Sequence, residues 1–390
     1  MQKFKTERHH LFRPTVLSMF SGCGGMDLGF LNAGYDIVWA NDINPDACLT
    51  YKKNIGSIIE ADVNDLEIPK INDLDVLIAG FPCQPFSNAG NRKGVGEKRG
   101  TLYMNTIEFI SHLHPKIVLL ENVRGLLSTK TQTGYLLEEI CMELTELGYE
   151  VHFKLVNASH YGVPQNRLRV FIVGILSDDS MGRFKFPHVI EGLDLSIGTC
   201  ISNIEKGTPN HDQFLHLNPQ AVYLGGLVPE GGSWKDIPYE LLPDRLKRIR
   251  DDMAKYRWPN FYRRYHRGEV AGTVTAAFKP ENAGVWHPFE KRVLSAREIA
   301  RIQSFPDDFI FEAKSTKAIY EMIGNAVPPR LAKVFADAFR SVLIGKDIIS
   351  DEPVRKFSTI RFGEVPVKVS DAEVIYDKMQ EQYEQLSIPI

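Results

Sequence analysis

The sequence predicts an α/β protein with a doubly wound, mostly parallel sheet and a smaller, irregular second domain. Short apolar runs alternate with helix-like segments through the first half of the chain, which is typical of parallel strands buried on both faces. The intervening segments place apolar residues at helical spacing, as in GYLLEEICMELTELG. Alternation of this kind predicts that ligands bind at the carboxyl ends of the strands.

The predicted elements follow in chain order. The candidate strands are PTVLSMF, YDIVWAND, SIIEAD, DVLIAG, KIVLLENV and RVFIVGIL. Residues 177–269 lose this pattern and are rich in Gly, Pro, His and Asn, which predicts a domain inserted between a first part, 1–176, and a return, 270–345. The return carries two predicted helices, LSAREIARIQSF and PPRLAKVFADAFRSVLI. Residues 346–390 form an acidic C-terminal extension.

The composition of the 390 residues is that of a globular protein, with 43% hydrophobic and 24% charged residues. No apolar run approaches the roughly 20 residues that span a bilayer, and no signal peptide is visible. We therefore expect no membrane partner and a cytoplasmic location. The five cysteines include no CxxC pair, which argues against a disulfide framework and a metal site and predicts reduced thiols.

The net charge of −3 hides a basic, aromatic-rich segment. Residues 245–267 hold nine Lys and Arg against two Asp, a pattern that favours contact with a phosphate backbone. The alternative is a solvated helix face anchored by a few aromatic residues. On the first interpretation, Arg263, Arg264 and Arg267 are candidate nucleic-acid contacts.

A glycine-rich loop, FSGCGGMDLGF, follows the first predicted strand and opens a helix. Its glycines let the backbone approach a ligand, although a plain tight turn is the alternative. Asp27 stands where the dinucleotide-binding fingerprint requires a third glycine. Asp42 and Asp62 close the second and third predicted strands, where a carboxylate can bind a ribose diol. The combination predicts a nucleoside ligand without a pyrophosphate.

Cys83 lies between two prolines in GFPCQPFS, directly after the fourth predicted strand, and Glu121 ends the fifth. Taken singly, such a cysteine is more often inert and such a glutamate more often a helix cap. At neighbouring strand ends, a thiol and a carboxyl that can act as an acid form a candidate site. The following segment, SNAGNRKGVGEKRG, predicts a basic loop able to close over a phosphate backbone.

QNRLRVFIVG places Arg167 and Arg169 two residues apart, just before or within a strand, so both are predicted to point to one face. Arginines that enter a buried strand need anionic or polar partners, and we expect one of the two to form a structural ion pair. IGNAVPP contributes an amide, Asn325, and a constrained turn before the last predicted helix.

The ordered set FSGCGG, ND, EAD, GFPCQPFS, ENV, QNRLR, RVLSAREIARIQSFPDDF and IGNAVPP resembles the motifs of the C5-cytosine DNA methyltransferases. The resemblance covers residues 14–176 and about 270–343, and it implies that 177–269 is the target-recognition domain. It further implies a Rossmann-like methyltransferase sheet in a catalytic and cofactor-binding domain, and double-stranded DNA as the substrate. The implied methyl donor is S-adenosyl-L-methionine, with S-adenosyl-L-homocysteine as the product.

The resemblance also implies roles for single residues. Cys83 would add to C6 of a cytosine flipped out of the duplex, and Glu121 would hold N3 and the exocyclic amine. Arg169, with Arg167 nearby, would hold the carbonyl oxygen of the base. The implied DNA contacts of the basic loop are Ser87, Arg92, Lys93, Lys98 and Arg99. The implied cofactor-binding residues are Phe20, Ser21, Gly22, Cys23, Gly24, Gly25, Asp42, Ile43, Asp62, Val63, Pro82, Leu102 and Asn325.

This sequence departs from the family at two cofactor positions. Asp42 stands where the family more often has Glu, and Ile43 stands where an aromatic side chain often stacks on adenine. The departures put the affinity for the cofactor in question more than the activity.

Three other functions compete with this interpretation. A tRNA cytosine methyltransferase of the same family would share every catalytic residue, although the long unmatched segment 177–269 favours DNA. An NAD-dependent oxidoreductase would need the glycine fingerprint that Asp27 breaks. A catalytically silent DNA-binding protein would not need Cys83, Glu121 and Arg169 together. We expect a monomer, and a cognate restriction endonuclease remains a candidate partner.

Overall fold

The computed structural model describes most of the chain. The predicted nucleophile Cys83 and the predicted loop contacts Ser87, Arg92, Lys93, Lys98 and Arg99 lie outside the described residues. The other predicted catalytic, cofactor-binding and DNA-binding residues lie within them. The described residues are 12–82, 102–131, 134–176, 178, 180–255, 261–277, 286–348, 354–356 and 373–376.

A single sheet organises the described structure. In it, β1 to β5 pair in parallel, whereas β7 is antiparallel to both β5 and β6. The order across the sheet is β3-β2-β1-β4-β5-β7-β6-β9-β8, which confirms the predicted mostly parallel, doubly wound arrangement. The strands are β1 (Thr15–Met19), β2 (Asp36–Asp42), β3 (Ile59–Glu60), β4 (Val76–Ala79), β5 (Ile117–Val123), β6 (Tyr149–Asn157), β7 (Leu168–Leu176), β8 (Val354–Lys356) and β9 (Glu373–Tyr376).

Strand β6 was not among the predicted strands. Glu150, His152 and Lys154 alternate with its apolar residues, so the run resembles an exposed segment, yet His152 and Lys154 are only 1% and 5% exposed. The chain turns back through β6 into β7, and β7 therefore runs against β5. Because of this reversal, the first residues of β7 lie beside the carboxyl end of β5, at the edge where ligands bind in such sheets.

The C-terminal extension contributes the last two strands of the sheet. β9 pairs antiparallel with β6 along Val151–Phe153, and β8 pairs in parallel with β9. An uncovered β6 would present a row of unpaired backbone N–H and C=O groups. The extension is therefore joined to the main sheet by backbone hydrogen bonds and covers the central part of that edge.

Helices cover both faces of the sheet. Alternate residues of each strand face opposite sides. Val16 packs in the core under the helix Pro329–Leu343, while Leu17 packs in the core under the helices Leu102–Leu113 and Leu136–Glu146. None of the described helices is long and apolar enough to cross a membrane. They are α1 (Gly25–Asn32), α2 (Pro45–Asn54), α3 (Leu102–Leu113), α4 (Leu136–Glu146), α5 (Ile197–Cys200), α6 (Pro219–Leu227), α7 (Asp244–Asp251), α8 (Ala296–Ile302), α9 (Thr316–Asn325) and α10 (Pro329–Leu343).

A separate apolar core lies inside the predicted inserted domain. Trp234 is fully buried there among residues drawn from 217–262. Phe184 and Phe186, although also within 177–269, pack into the core beneath α10. The core of this small domain thus lies between residues 217 and 262. The domain boundaries at residues 177 and 269 stay a prediction.

Candidate functional site

A cavity of 720 Å³ lies beyond the carboxyl ends of β1, β2, β4 and β5, at the edge of the sheet where ligand binding is predicted. Every predicted cofactor-binding residue except Gly24 lines it. Ile43, at its mouth, is 64% exposed although it is apolar, which suits a side chain that a bound planar ring would cover. The predicted residues that line the cavity are Phe20, Ser21, Gly22, Cys23, Gly25, Asp42, Ile43, Asp62, Val63, Pro82, Leu102 and Asn325.

Asp42 holds the glycine-rich loop against the end of β2. Its Oδ2 accepts from the backbone N–H of Gly22 at 2.8 Å, and its Oδ1 accepts from the backbone N–H of Asn44 at 2.8 Å. The loop can take this course because Gly22 has a φ of +56°. Phe20 shares the left-handed region, with a φ of 54°, which is strained for a residue with a side chain and is typical of ligand-binding sites. Burial raises the pKa of Asp42.

Gly24 serves the fold rather than the cavity. It caps α1 in the left-handed conformation, with a φ of +89°. A Cβ at this position would lie 2.7 Å from the side chain of Ile55. Gly24 does not line the cavity, and α2 and the turn after it fill the space where a side chain would lie, so its contact with the ligand stays a prediction.

Asp62 lies at the cavity, although it does not end a strand as predicted. β3 stops at Glu60, and Asp62 instead caps a short 3-10 turn by accepting from the backbone N–H of Asn64 at 3.0 Å. The cap fixes the carboxylate beside Val63, whose side chain is buried.

Glu121 and Arg169 face each other across neighbouring strands. In the register of β5 and β7, Glu121 lies opposite Phe171 and Val123 lies opposite Arg169, so the two charged side chains are diagonal neighbours on one face. Arg169 Nε lies 3.0 Å from Glu121 Oε1, and both side chains are largely buried. Burial raises the pKa of Glu121, while the positive charges of Arg169 and Arg167 lower it by less. Both residues line the cavity.

Arg167 does not reach the cavity, which corrects the prediction that it assists in holding a base. Its guanidinium is buried and donates to the carbonyl of Val274 at 2.9 Å and to that of Gly324 at 3.0 Å. The two-residue alternation of a strand does not apply, because β7 begins only at Leu168. Burial lowers the pKa of Arg167 to about 9. One of the two arginines is structural, as expected, but two carbonyl groups hold it in place of the predicted ion pair.

The three predicted arginine contacts of the basic segment differ in their environments. Arg264 is 4% exposed and donates to the carbonyls of Val228 and Gly225, so its assignment as a DNA contact is corrected. Arg263 forms an ion pair with Glu269, in which Nη2 donates to both carboxylate oxygens at 2.8 Å. Arg267, whose side chain is 59% exposed, pairs with Glu230. Of these three arginines, Arg263 and Arg267 are exposed enough to contact a phosphate group.

Among the cavity residues that were not predicted, Asn122 and Asp27 stand out because their polar side chains are buried. Asn122 is 3% exposed and donates from Nδ2 to the carbonyl of Phe81 at 3.0 Å, which ties the end of β5 to the segment that leads to Cys83. Asp27 is fully buried in the wall of the cavity. Its only sequence signal was the carboxylate in place of the third glycine of a dinucleotide fingerprint.

A profile of the family described as C-5 cytosine-specific DNA methylase matches residues 14–341. The chain belongs to this family. It is thus a DNA cytosine-5 methyltransferase, which excludes the oxidoreductase alternative. No cluster of potential metal ligands occurs within the described part of the chain.

Relatives of known type agree with this assignment. The type II methyltransferase M.NgoFVII of Neisseria gonorrhoeae is 36% identical over 375 residues, which cover 90% of this chain and 96% of that protein. The type II methyltransferase M.Eco47II of Escherichia coli is 35% identical over 355 residues, covering 86% of this chain and 78% of that protein. The crystal structure of the S. pombe Dnmt2 methyltransferase matches with a TM-score of 0.55 at 20% identity, over 85% of this chain and 98% of that one, and shows a shared fold.

Proposed function

We propose that the 720 Å³ cavity binds S-adenosyl-L-methionine and receives the target cytosine beside it. The lining residues suit such a nucleoside ligand. Asp42 and Asp62 offer carboxylates to hydroxyl groups, and Phe20, Ile43 and Leu102 offer apolar surface to a ring. When bound, S-adenosyl-L-methionine supplies the methyl group and leaves as S-adenosyl-L-homocysteine.

The observation that carries the proposal is the pairing of Glu121 with Arg169 in the wall of this same cavity. A carboxyl whose pKa is raised by burial can donate or accept a hydrogen bond at N3 and the exocyclic amine of cytosine. Arg169 can donate to the carbonyl oxygen of the base. The ion pair of 3.0 Å holds both groups in position before the base arrives.

Cys83 is the proposed nucleophile, and it follows directly on Pro82, which lines the cavity. Addition of its thiolate to C6 makes C5 electron-rich enough to accept a methyl group, and loss of the C5 proton then releases the thiolate. A thiol cannot reach C6 inside a stacked duplex, so the base must be flipped out of the helix.

The proposed substrate is duplex DNA, with the target sequence recognised by the inserted domain. Arg263, Arg267 and the basic loop residues Ser87, Arg92, Lys93, Lys98 and Arg99 are proposed contacts to the phosphate backbone. The type II relatives suggest that a cognate restriction endonuclease accompanies the protein in the cytoplasm. We propose a monomer, because one flipped base needs one site, and light scattering behind size-exclusion chromatography tests this.

Bisulfite sequencing of DNA from a methylation-free host that expresses the protein tests the function. We expect 5-methylcytosine at one short motif, and none when Cys83→Ala is expressed, while that variant still binds duplex DNA. Cys200→Ala is the matched control, because Cys200 does not line the cavity, and it should methylate as the unchanged protein does. Methylation of tRNA without methylation of duplex DNA would instead support the tRNA alternative, and methylation by Cys83→Ala would refute the nucleophile.

A further inference from the structure

Asp27 is a fully buried carboxylate in the wall of the cofactor cavity. Its Oδ1 accepts a hydrogen bond from the hydroxyl of Tyr51 at 2.8 Å. Its Oδ2 is buried and accepts no well-aligned hydrogen bond from any described residue, although the hydroxyl of Ser18 lies near enough to lower the pKa of the carboxyl. A buried carboxylate oxygen without a hydrogen bond is unfavourable unless a cation or a proton compensates its charge.

The groups that face Asp27 supply no positive charge. These groups are the hydroxyl of Ser18 in β1, the hydroxyl of Tyr51 in α2, the thiol of Cys23 in the glycine-rich loop and the carboxylate of Asp42 in β2. Among the described residues, those that act on Asp27 are therefore neutral or negative. A cation that enters the cavity would be the first positive charge beside this carboxylate.

We propose that Asp27 is a specificity-determining residue that selects the positively charged sulfonium of the cofactor over the uncharged thioether of its product. The inference rests on the proposed binding of S-adenosyl-L-methionine in this cavity. The two molecules share the ribose, the adenine and the amino acid group, and they differ in one methyl group and one positive charge. A carboxylate responds to this charge, so it can favour the substrate form and release the product form.

The proposal predicts a pH dependence of a defined sign. Burial raises the pKa of Asp27 to about 6, with the hydroxyls of Tyr51 and Ser18 opposing this less strongly. A sulfonium beside the carboxylate lowers that pKa, so its binding releases a proton to the solvent. Affinity for the sulfonium is then fully present above pH 6 and is lost as the pH falls below 6, by about tenfold at pH 5. The thioether should show no such loss from Asp27.

Isothermal titration calorimetry on the full chain tests this, with S-adenosyl-L-methionine and S-adenosyl-L-homocysteine as separate ligands between pH 5 and 8. We expect the ratio of the two dissociation constants to change about tenfold over this range, and to become independent of pH in Asp27→Asn. Asp42→Asn is the matched control, because it removes a carboxylate from the same cavity at a position that both ligands should share. It should weaken both ligands and leave their ratio dependent on pH.

Two results would overturn the inference while leaving the cofactor assignment intact. One is equal pH dependence for both ligands, which would place Asp27 beside a group that they share. The other is an unchanged ratio in Asp27→Asn. If Asp27→Asn does not fold, Tyr51→Phe serves as the test. Loss of the tyrosine hydroxyl should raise the pKa of Asp27, so the pH at which the ratio of dissociation constants is half changed should rise. An unchanged midpoint pH refutes the role of Asp27. Binding of neither ligand to the unchanged protein would refute the proposed function itself.

Discussion

Replacing Arg264 with methionine should unfold the small domain at markedly lower urea concentration, although the sequence suggested a surface contact. Its Nε donates to Val228 at 2.8 Å and its Nη2 to Gly225 at 2.9 Å, while Nη1 donates to the carbonyls of His287 and Glu290. Hydrogen bonds from a charged donor contribute about 1.5–3 kcal/mol each. Four that share one guanidinium are not additive, so we expect a loss of about 3–5 kcal/mol in the free energy of unfolding.

Equilibrium unfolding in urea, followed by tryptophan fluorescence, measures this loss. Trp286, whose ring centroid lies 5.8 Å from Cζ of Arg264, and Trp234, in the core of the small domain, are both fully buried. Arg267→Met is the matched control. Its side chain is 59% exposed and pairs with Glu230 at the surface, so its unfolding transition should coincide with that of the unchanged protein. An Arg264→Met protein of unchanged stability that binds DNA with a reduced salt slope would refute the structural role and restore the phosphate contact.

Three further predictions follow from the described contacts. Glu121→Gln should lower the turnover number by about 10²–10⁴-fold, a magnitude typical of acid–base groups. Its affinity for S-adenosyl-L-methionine, measured by calorimetry, should be unchanged. Unaltered single-turnover rates would refute the acid–base role of Glu121. Gly29→Ala should lower the free energy of unfolding, measured by thermal unfolding, by about 1–3 kcal/mol, because the added Cβ would lie 2.5 Å from the Cβ of Ala332. The control Gly226→Ala should not lower it, since no atom lies within 4 Å of its added Cβ. Equal effects of the two substitutions would contradict this packing. Burial raises the pKa of Glu298, but hydrogen bonds from Arg292, His287 and the backbone of Ser295 together lower it to about 2, against an ordinary value of 4.5. Its contribution to stability is therefore present above pH 4.5 and lost as the pH falls towards 2. Glu298→Gln should flatten this part of the pH–stability curve, and an unchanged curve would exclude these hydrogen bonds as its cause.

The predicted cofactor site corresponds closely to the cavity because its signals are local. Glycines such as Gly22 mark positions where the backbone must turn with positive φ, and carboxylates such as Asp42 follow directly on apolar runs. In a parallel sheet the ends of such runs meet at one edge, so chain order alone brings them together. The same reasoning placed Glu121 at this edge of the sheet, and it lines the same cavity.

Predictions failed where a residue's partner lies far away in the chain. Arg167 and Arg169 differ by two positions, yet the carbonyls of Val274 and Gly324 hold the first and Glu121 holds the second. Arg264 stands in a basic segment whose charge suggested a solvated or nucleic-acid-binding surface, but it is 4% exposed. Charge and spacing are the same in both environments, so the sequence does not distinguish them.

By itself the sequence determined the α/β class, the strand ends that form the cavity and the family, because strand periodicity and the motifs at strand ends are encoded within a few residues. Tertiary structure decided which arginine reaches the wall of the cavity, that β6 reverses the direction of β7, and that Asp27 is left with an unsatisfied oxygen. These outcomes depend on burial and on hydrogen bonds between segments as far apart as Arg167 and Gly324. Such contacts form only when the sheet and its helices are assembled, since desolvation acts on the packed structure and not on the local sequence.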